Sequence, residues 1–371
     1  MVEHGGPAPT PDRPAGASCV GMVGQGFYNE HSRAQRAAVG IALPLLIRAA
    51  ETAPLPDPGG AFLVADYGSS EGRNSLAPLR AVVETVRRRA GEGVPIAIVH
   101  NDVPGNDFAS LFTLLDTSPD SYLRVGSNLF PYASGRSFYH RVFPANQVCL
   151  GWSAGSIHWL SAAPPLPDHI WPALATGPAA EALAAQARGD WARFLDHRAH
   201  ELRPGGLLVL TGLYRDERGE TGGERLNDAA NAALRAMAEE GRLRRGEYAR
   251  MLIPLYCRTR KEFTAPFAEG TVASWLELRD YRETSTPDPL WTEYERSRDA
   301  AALAADCAAA YRAFTEPALF GALEDDRPPQ ERRTLADEFY ERLRRAVAAD
   351  PAVAPSHWNV VMMLLAKETD D

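Results

Sequence analysis

Ala61-Phe62-Leu63-Val64-Ala65-Asp66-Tyr67-Gly68-Ser69-Ser70-Glu71-Gly72-Arg73-Asn74 is the segment on which the reading of this chain turns. Its first six residues form a short apolar run bounded by turn residues, the pattern of a strand buried on both faces. The small residues that follow let the backbone approach a ligand closely, and the N-terminus of the next helix favours a carboxylate or phosphate. The spacing is not that of a dinucleotide fingerprint, so an ordinary strand-to-helix turn also accounts for it.

The same unit recurs along the chain. A helical stretch reaching Arg89 leads to Pro95-Ile96-Ala97-Ile98-Val99-His100, followed by Asn101-Asp102-Val103-Pro104-Gly105-Asn106-Asp107-Phe108. Gln147 to Trp152 and Gly206 to Leu213 have the same strand character, the latter after a helix from about Asp190 to Leu202 closed by Pro204-Gly205-Gly206. Strand and helix alternating in this way predict an α/β chain with a doubly wound sheet, whose ligands lie beyond the carboxyl ends of the strands. Asp102 then stands where a carboxylate accepts two hydrogen bonds from a ribose diol, with a turn-forming role as the alternative; Asp107 reads as a helix cap.

Upstream, Val39, Leu43, Leu46 and Ile47 give Glu30 to Glu51 a helical period, which Pro44 should kink or break. A Pro/Gly turn at Pro54 to Gly60 ends it, and Met1 to Ala17, rich in Pro and Gly, reads as a disordered tail. Downstream, residues 224–250 and 287–348 are helical, rich in Ala, Glu and Arg, and form the candidate cap. The core comprises residues 18–223, 251–286 and 349–371, and Trp358 to Leu365 returns to the sheet as its last strand.

With 371 residues and 45% apolar residues the chain can bury a large core, and no run is apolar enough to cross a membrane. A net charge of -9 without a basic run excludes a nucleic-acid partner. Cys19, Cys149, Cys257 and Cys307 are far apart, with no secretory core at the N-terminus, and read as reduced thiols of a cytoplasmic protein. Lys261 and Lys367 are the only lysines amid abundant Arg and Ala, which reflects GC-rich coding. His197 and His200 share a helix face but lack a third ligand, so no metal is expected. Arg242 to Arg245 reads as exposed cap helix, and Glu324-Asp325-Asp326 as solvated charge.

A series of local patterns, in order, resembles one family. Gly24-Gln25-Gly26-Phe27-Tyr28-Asn29-Glu30-His31-Ser32-Arg33-Ala34-Gln35, Ala65 to Ser70, Asn101 to Phe108, Ser137-Phe138-Tyr139-His140-Arg141-Val142-Phe143-Pro144, Ser156-Ile157-His158-Trp159-Leu160-Ser161 and Glu201 to Gly206 are similar to the SABATH carboxyl methyltransferases. Ile253-Pro254-Leu255-Tyr256 and Arg312-Ala313-Phe314-Thr315-Glu316-Pro317 continue the likeness, which covers nearly the whole chain beyond the tail. That family includes the plant salicylate, benzoate and jasmonate methyltransferases and the caffeine-pathway N-methyltransferases, and this chain is expected to be a bacterial member.

The resemblance implies a Rossmann-like class I methyltransferase sheet under a helical cap, with S-adenosylmethionine as cofactor and S-adenosylhomocysteine as product. On the cofactor side it implies Gly68 and Ser69, beside Asp66, for the methionine end, Asp102 with Val103 for the ribose, and Ser137 with Phe138 for adenine. Tyr28, Ser32 and Asn74 match further cofactor positions. Gln35 and Trp159 match the pair that orients a substrate carboxylate with neutral donors, and Gly155 and His158 complete the acceptor side. The partner is a small aromatic or apolar carboxylic acid, giving a methyl ester, and homodimerisation is a family habit. Ser69 replaces a common Cys, Glu71 a small residue, His31 an Asn and Val103 a Leu; Gly155 stands where a bulky Tyr is common, which should widen the acceptor pocket. The rival activities are N-methylation, with His158 as base, and cofactor binding without catalysis.

Overall fold

The computed structural model describes residues 17–18, 21–164, 166, 168–268 and 275–369. The proposed tail therefore lies outside the described residues except for Ala17, whose backbone pairs with Ala163, and Cys19 is also outside them.

Seven strands form one sheet: β1 (Phe62–Tyr67), β2 (Ile96–Asp102), β3 (Leu129–Gly135), β4 (Val148–Ala154), β5 (Leu202–Leu213), β6 (Leu276–Pro287) and β7 (His357–Lys367). Their order is β3-β2-β1-β4-β5-β7-β6, with the first five parallel and β7 antiparallel to both of its neighbours. The strand order reverses between β1 and β4, where crossovers diverge and leave a crevice. Alternation along the central strands divides the core in two. Phe62, Val64, Leu207 and Val209 join one apolar cluster, while Ala65, Tyr67, Leu208 and Leu210 join the other. Helices α2 (Arg33–Thr52), α3 (Arg73–Ala90) and α4 (Phe108–Thr117) cover the first face, and α5 (Gly177–Glu201) covers the second with Trp191, Phe194 and Leu195.

The cap builds a separate cluster from α6 (Glu224–Glu239), α9 (Pro289–Ser297), α10 (Ala300–Phe320) and α11 (Pro329–Ala349), centred on Leu234, Tyr311, Phe339 and Leu343. The short α7 (Arg245–Tyr248) joins it, α8 (Arg260–Thr264) lies before β6, and α1 (Phe27–His31) precedes α2. The expected Arg and acidic runs meet one another here: Arg244 pairs with Glu324 and, at 2.8 Å, with Asp326. Both remain largely exposed, but they are partnered and not merely solvated.

Three local expectations are corrected, and two strands the sequence reading did not name are added. The helix break falls at Ser32, and α2 runs through Pro44, because Pro44 and Gly40 both face water and the carbonyl that loses its partner can be hydrated. Helix α5 begins at Gly177, well before Asp190. Pro204-Gly205-Gly206 does not close that helix; it lies inside β5, where the register jumps from Val148 opposite Leu202 to Leu150 opposite Leu207. Finally, β3 and β6 carry no strong apolar run, since both are edge strands, and Pro131 is tolerated in β3 for that reason.

Candidate active site

The carboxyl ends of β1, β2, β4 and β5 open into a cavity of about 1510 Å³, counted out to its mouth and walled by α1, α2 and the cap. At its sheet end, Gly68 has a φ of 84°, and a Cβ there would stand 2.0 Å from Ser156 Oγ. The chain needs glycine at this turn both for its conformation and for the approach of the β4 loop. Gly68 N and Ser69 N both donate to Asn101 O, at 2.7 and 3.1 Å, which ties the turn after β1 to β2.

Asp102 ends β2 and accepts from Ser70 N at 2.7 Å and Val103 N at 2.8 Å. Burial pushes its carboxyl up to about 6 against these two bonds, and the nearby Asp66 adds to the rise. Asp66 itself meets His100 Nδ1 at 2.9 Å, and His100 Nε2 meets Tyr122 OH at 3.0 Å, so that carboxylate is buried in a pair although it borders the cavity. Ser70 Oγ is buried on the cavity wall without a partner among the described residues.

The N-terminal segment forms the opposite wall. Glu71, the departure noted in the sequence, accepts from Gly26 N at 2.6 Å and Asn29 N at 3.2 Å, fastening α1 to the loop after β1. Tyr28 and Asn74 face the cavity and bond to one another, and burial together with Asp102 raises the Tyr28 phenol. Ser32 is fully buried behind them, within 3.1 Å of Asn74 Nδ2, and does not border the cavity. Nor does Ser137, which accepts from Tyr139 N at 3.3 Å; its neighbour Phe138 does. The Phe138 carbonyl is gripped by the buried Arg198 at 2.8 Å, and Arg198 in turn pairs with Glu201 at 2.8 Å.

Toward the cap the lining becomes largely aromatic, with Trp159, Trp171, Tyr311, Phe314 and Trp358, and Gln35 stands beside them as an amide. Gln35 Oε1 has no partner among the described residues. His158 is buried, and burial, with the nearby Arg258 charge, pushes its imidazole down to about 3. Leu213 N donates to His158 Nδ1 at 3.2 Å, which leaves the ring proton on Nε2. Gly155 has a φ of 68°, and a Cβ there would touch nothing within 4 Å. The space is open, but the backbone conformation also favours glycine, which sequence reasoning did not see.

Residues 19–368 match the family described as SAM dependent carboxyl methyltransferase. The chain belongs to that family. It is 32% identical over 296 residues to O-methyltransferase acrG of Aspergillus aculeatus, covering 77% of each chain. To the probable 7-methylxanthine methyltransferase 5 of Theobroma cacao it is 28% identical, over 77% of this chain and 78% of the relative. Loganic acid methyltransferase, solved with SAH, shares the fold with a TM-score of 0.74 at 20% identity, over 94% of this chain and 99% of that one. The sequence relatives are fungal and plant proteins and lend no support to a bacterial origin.

S-adenosylmethionine is the cofactor of this methyltransferase, and the sheet end of the cavity fits it: a turn that admits no Cβ, the unpartnered Ser70 hydroxyl, and the Asp102 carboxylate lie together. Among the described residues no three His, Cys, Asp or Glu side chains gather as a metal site; His197 and His200 both lie near Asp196, at 3.7 Å. Cys149, Cys257 and Cys307 are free and buried, and no described helix is long and apolar enough to cross a membrane. Sequence reading missed Ser70, Trp171, Tyr311 and Trp358 as cavity residues, because nothing in their local pattern distinguishes them from turn or core residues.

Proposed function

We propose that this methyltransferase esterifies the carboxylate of a small, largely apolar organic acid. The observation that carries the reading is the state of His158. With Nδ1 accepting from Leu213 N and the ring held neutral, it has no free basic nitrogen to offer the acceptor. The other ionisable wall groups are no better placed as bases: Asp66 is paired with His100, and Asp102 serves the cofactor end. A carboxylate needs no base, because it is already ionised at neutral pH.

In this mechanism Asp102 would hold the ribose hydroxyls, Gly68 and Ser69 would give backbone access to the methionine end, and Phe138 would serve the adenine side. Bound S-adenosylmethionine supplies a methyl group activated on a sulfonium. Gln35 turns its amide N–H toward the acid, and Trp159 offers its indole N–H, so that one carboxylate oxygen points along the line of displacement. That oxygen would receive the methyl carbon from the cofactor, giving a methyl ester and S-adenosylhomocysteine, while Gln35 and Trp159 keep it oriented. The aromatic cap wall excludes water from the step. The cacao relative keeps N-methylation as the second reading.

The test is a single-turnover rate measured with an acid that has no group titrating between pH 6 and 9. We expect a methyl ester as product and a rate that is flat from about pH 6.5 to 8.5. His158→Asn should change KM or substrate choice and leave the profile flat. A methylated nitrogen as product, with an ascending limb that His158→Asn removes, overturns the carboxylate reading.

A further inference from the structure

Trp171 lines the acceptor end of the cavity, is only 2% exposed, and its indole Nε1 has no partner among the described residues. Its backbone is fixed on both sides: Trp171 N donates to His169 Nδ1 at 2.9 Å, Leu174 N to Trp171 O at 3.1 Å, and Ile253 N to Ile170 O at 3.0 Å. Trp171 belongs to the buried cap cluster that also holds Leu226, Leu255 and Tyr311, which keeps its N–H from water.

The neighbouring polar groups of the cap wall are already satisfied. Tyr311 OH donates to Asn227 Oδ1 at 2.7 Å, Asn227 Nδ2 to Gly223 O at 2.8 Å, and Trp358 Nε1 to Asp288 Oδ2 at 2.6 Å. Thr211 Oγ1 is also unpartnered, but it belongs to the end of β5, on the sheet side. Among these described cap-side groups Trp171 is thus the buried donor left without a partner. A buried donor without a partner is costly to keep, and a ligand oxygen relieves that cost.

We infer that the Trp171 indole N–H is a second anchor for the acceptor, donating to an oxygen carried on the acid away from its carboxylate. The substrate class is then an oxygenated acid: an apolar body bearing a keto, hydroxyl or ester oxygen. This rests on the carboxylate reading above and deepens it. A site built to hydrogen-bond such an oxygen discriminates strongly against the analogue that lacks it, whereas an apolar wall would prefer the deoxygenated acid.

The probes are two matched pairs, benzoylpropionic acid against phenylbutyric acid and benzoylbutyric acid against phenylvaleric acid, titrated by calorimetry into the full chain loaded with S-adenosylhomocysteine. In at least one pair the keto acid should bind about 10-fold tighter, as one hydrogen bond to a desolvated donor provides. Trp171→Phe should erase that preference, read as the ratio of the two affinities within a pair, and leave the affinity of S-adenosylhomocysteine unchanged. If the Phe variant does not fold, benzothienylalanine at position 171 replaces only the N–H by sulfur and keeps the packing. The inference is overturned if no acid binds, if neither keto acid is preferred, or if the preference survives loss of the N–H. Trp171-dependent binding without any ester product would instead overturn the carboxyl-methylation reading and leave this anchor standing.

Discussion

Asp102 has both carboxylate oxygens engaged by backbone N–H groups, and burial pushes its carboxyl up to about 6. Ribose hydroxyls donate best to the ionised form, so the raised value delays full binding strength to higher pH. Cofactor affinity should therefore climb between about pH 5 and 7 and level off above it. Asp102→Ala should lose roughly 10-fold to 150-fold in affinity, the worth of a charged hydrogen-bond acceptor, and its remaining binding should be flat in pH. Calorimetry at three pH values checks this; an unchanged affinity would remove Asp102 from the site. Gly155 combines two features in one residue. Its missing side chain leaves open space, as expected, but its positive φ means that Tyr there would also be strained.

At the level of elements, the site depends on segments distant in sequence being fastened together. Glu71 joins α1 to the loop after β1 through Gly26 N and Asn29 N, and Asn29 returns the contact by accepting from Arg73 N at 3.2 Å. Helix α1 carries Tyr28, and α2 behind it carries Gln35, so this clasp sets the spacing between cofactor and acceptor walls. Glu71→Ala should raise KM for both substrates by about 10-fold, while kcat falls little and the melting temperature changes by only a few degrees. A selective loss for one substrate alone, or global unfolding, would show that Glu71 is not acting as a clasp. Arg198 has the parallel role for the loop bearing Phe138, a position the sequence reading did not single out.

For the whole molecule, the cap stands on its own apolar cluster and is pinned by a buried ion pair. Arg327 meets both oxygens of Glu247, at 2.6 and 2.7 Å. Burial pushes the Glu247 carboxyl up, but Arg327 and the backbone N–H groups of Arg244 and Glu324 outweigh it and hold it at about 2. A carboxyl held below its usual value of about 4.3 gives its full stabilisation above that pH and loses it as pH falls through about 2. Arg327→Met should leave a buried carboxylate uncompensated and cost about 3 kcal/mol at pH 7. Denaturant titrations should show that cost shrinking as pH falls from about 4 to 2; a cost independent of pH would assign the loss to packing.

The sequence by itself determined the doubly wound core, because the central strands are buried on both faces and declare themselves as short apolar runs between turns. It also brought Asp102, Gly68, Gln35, His158 and Trp159 forward as candidates, since each stands at a strand end or in a motif with a recognisable order. The edge strands β3 and β6 were not legible: with one side exposed, they need no apolar run, and only pairing with their neighbours makes them strands. The state of His158 was equally hidden, for it follows from burial and from the N–H of Leu213, which the chain brings beside it only after folding. Tertiary structure alone decided which groups stay unsatisfied, and so left the Trp171 indole N–H buried without a partner among the described residues, because partnership depends on contacts between segments far apart along the chain.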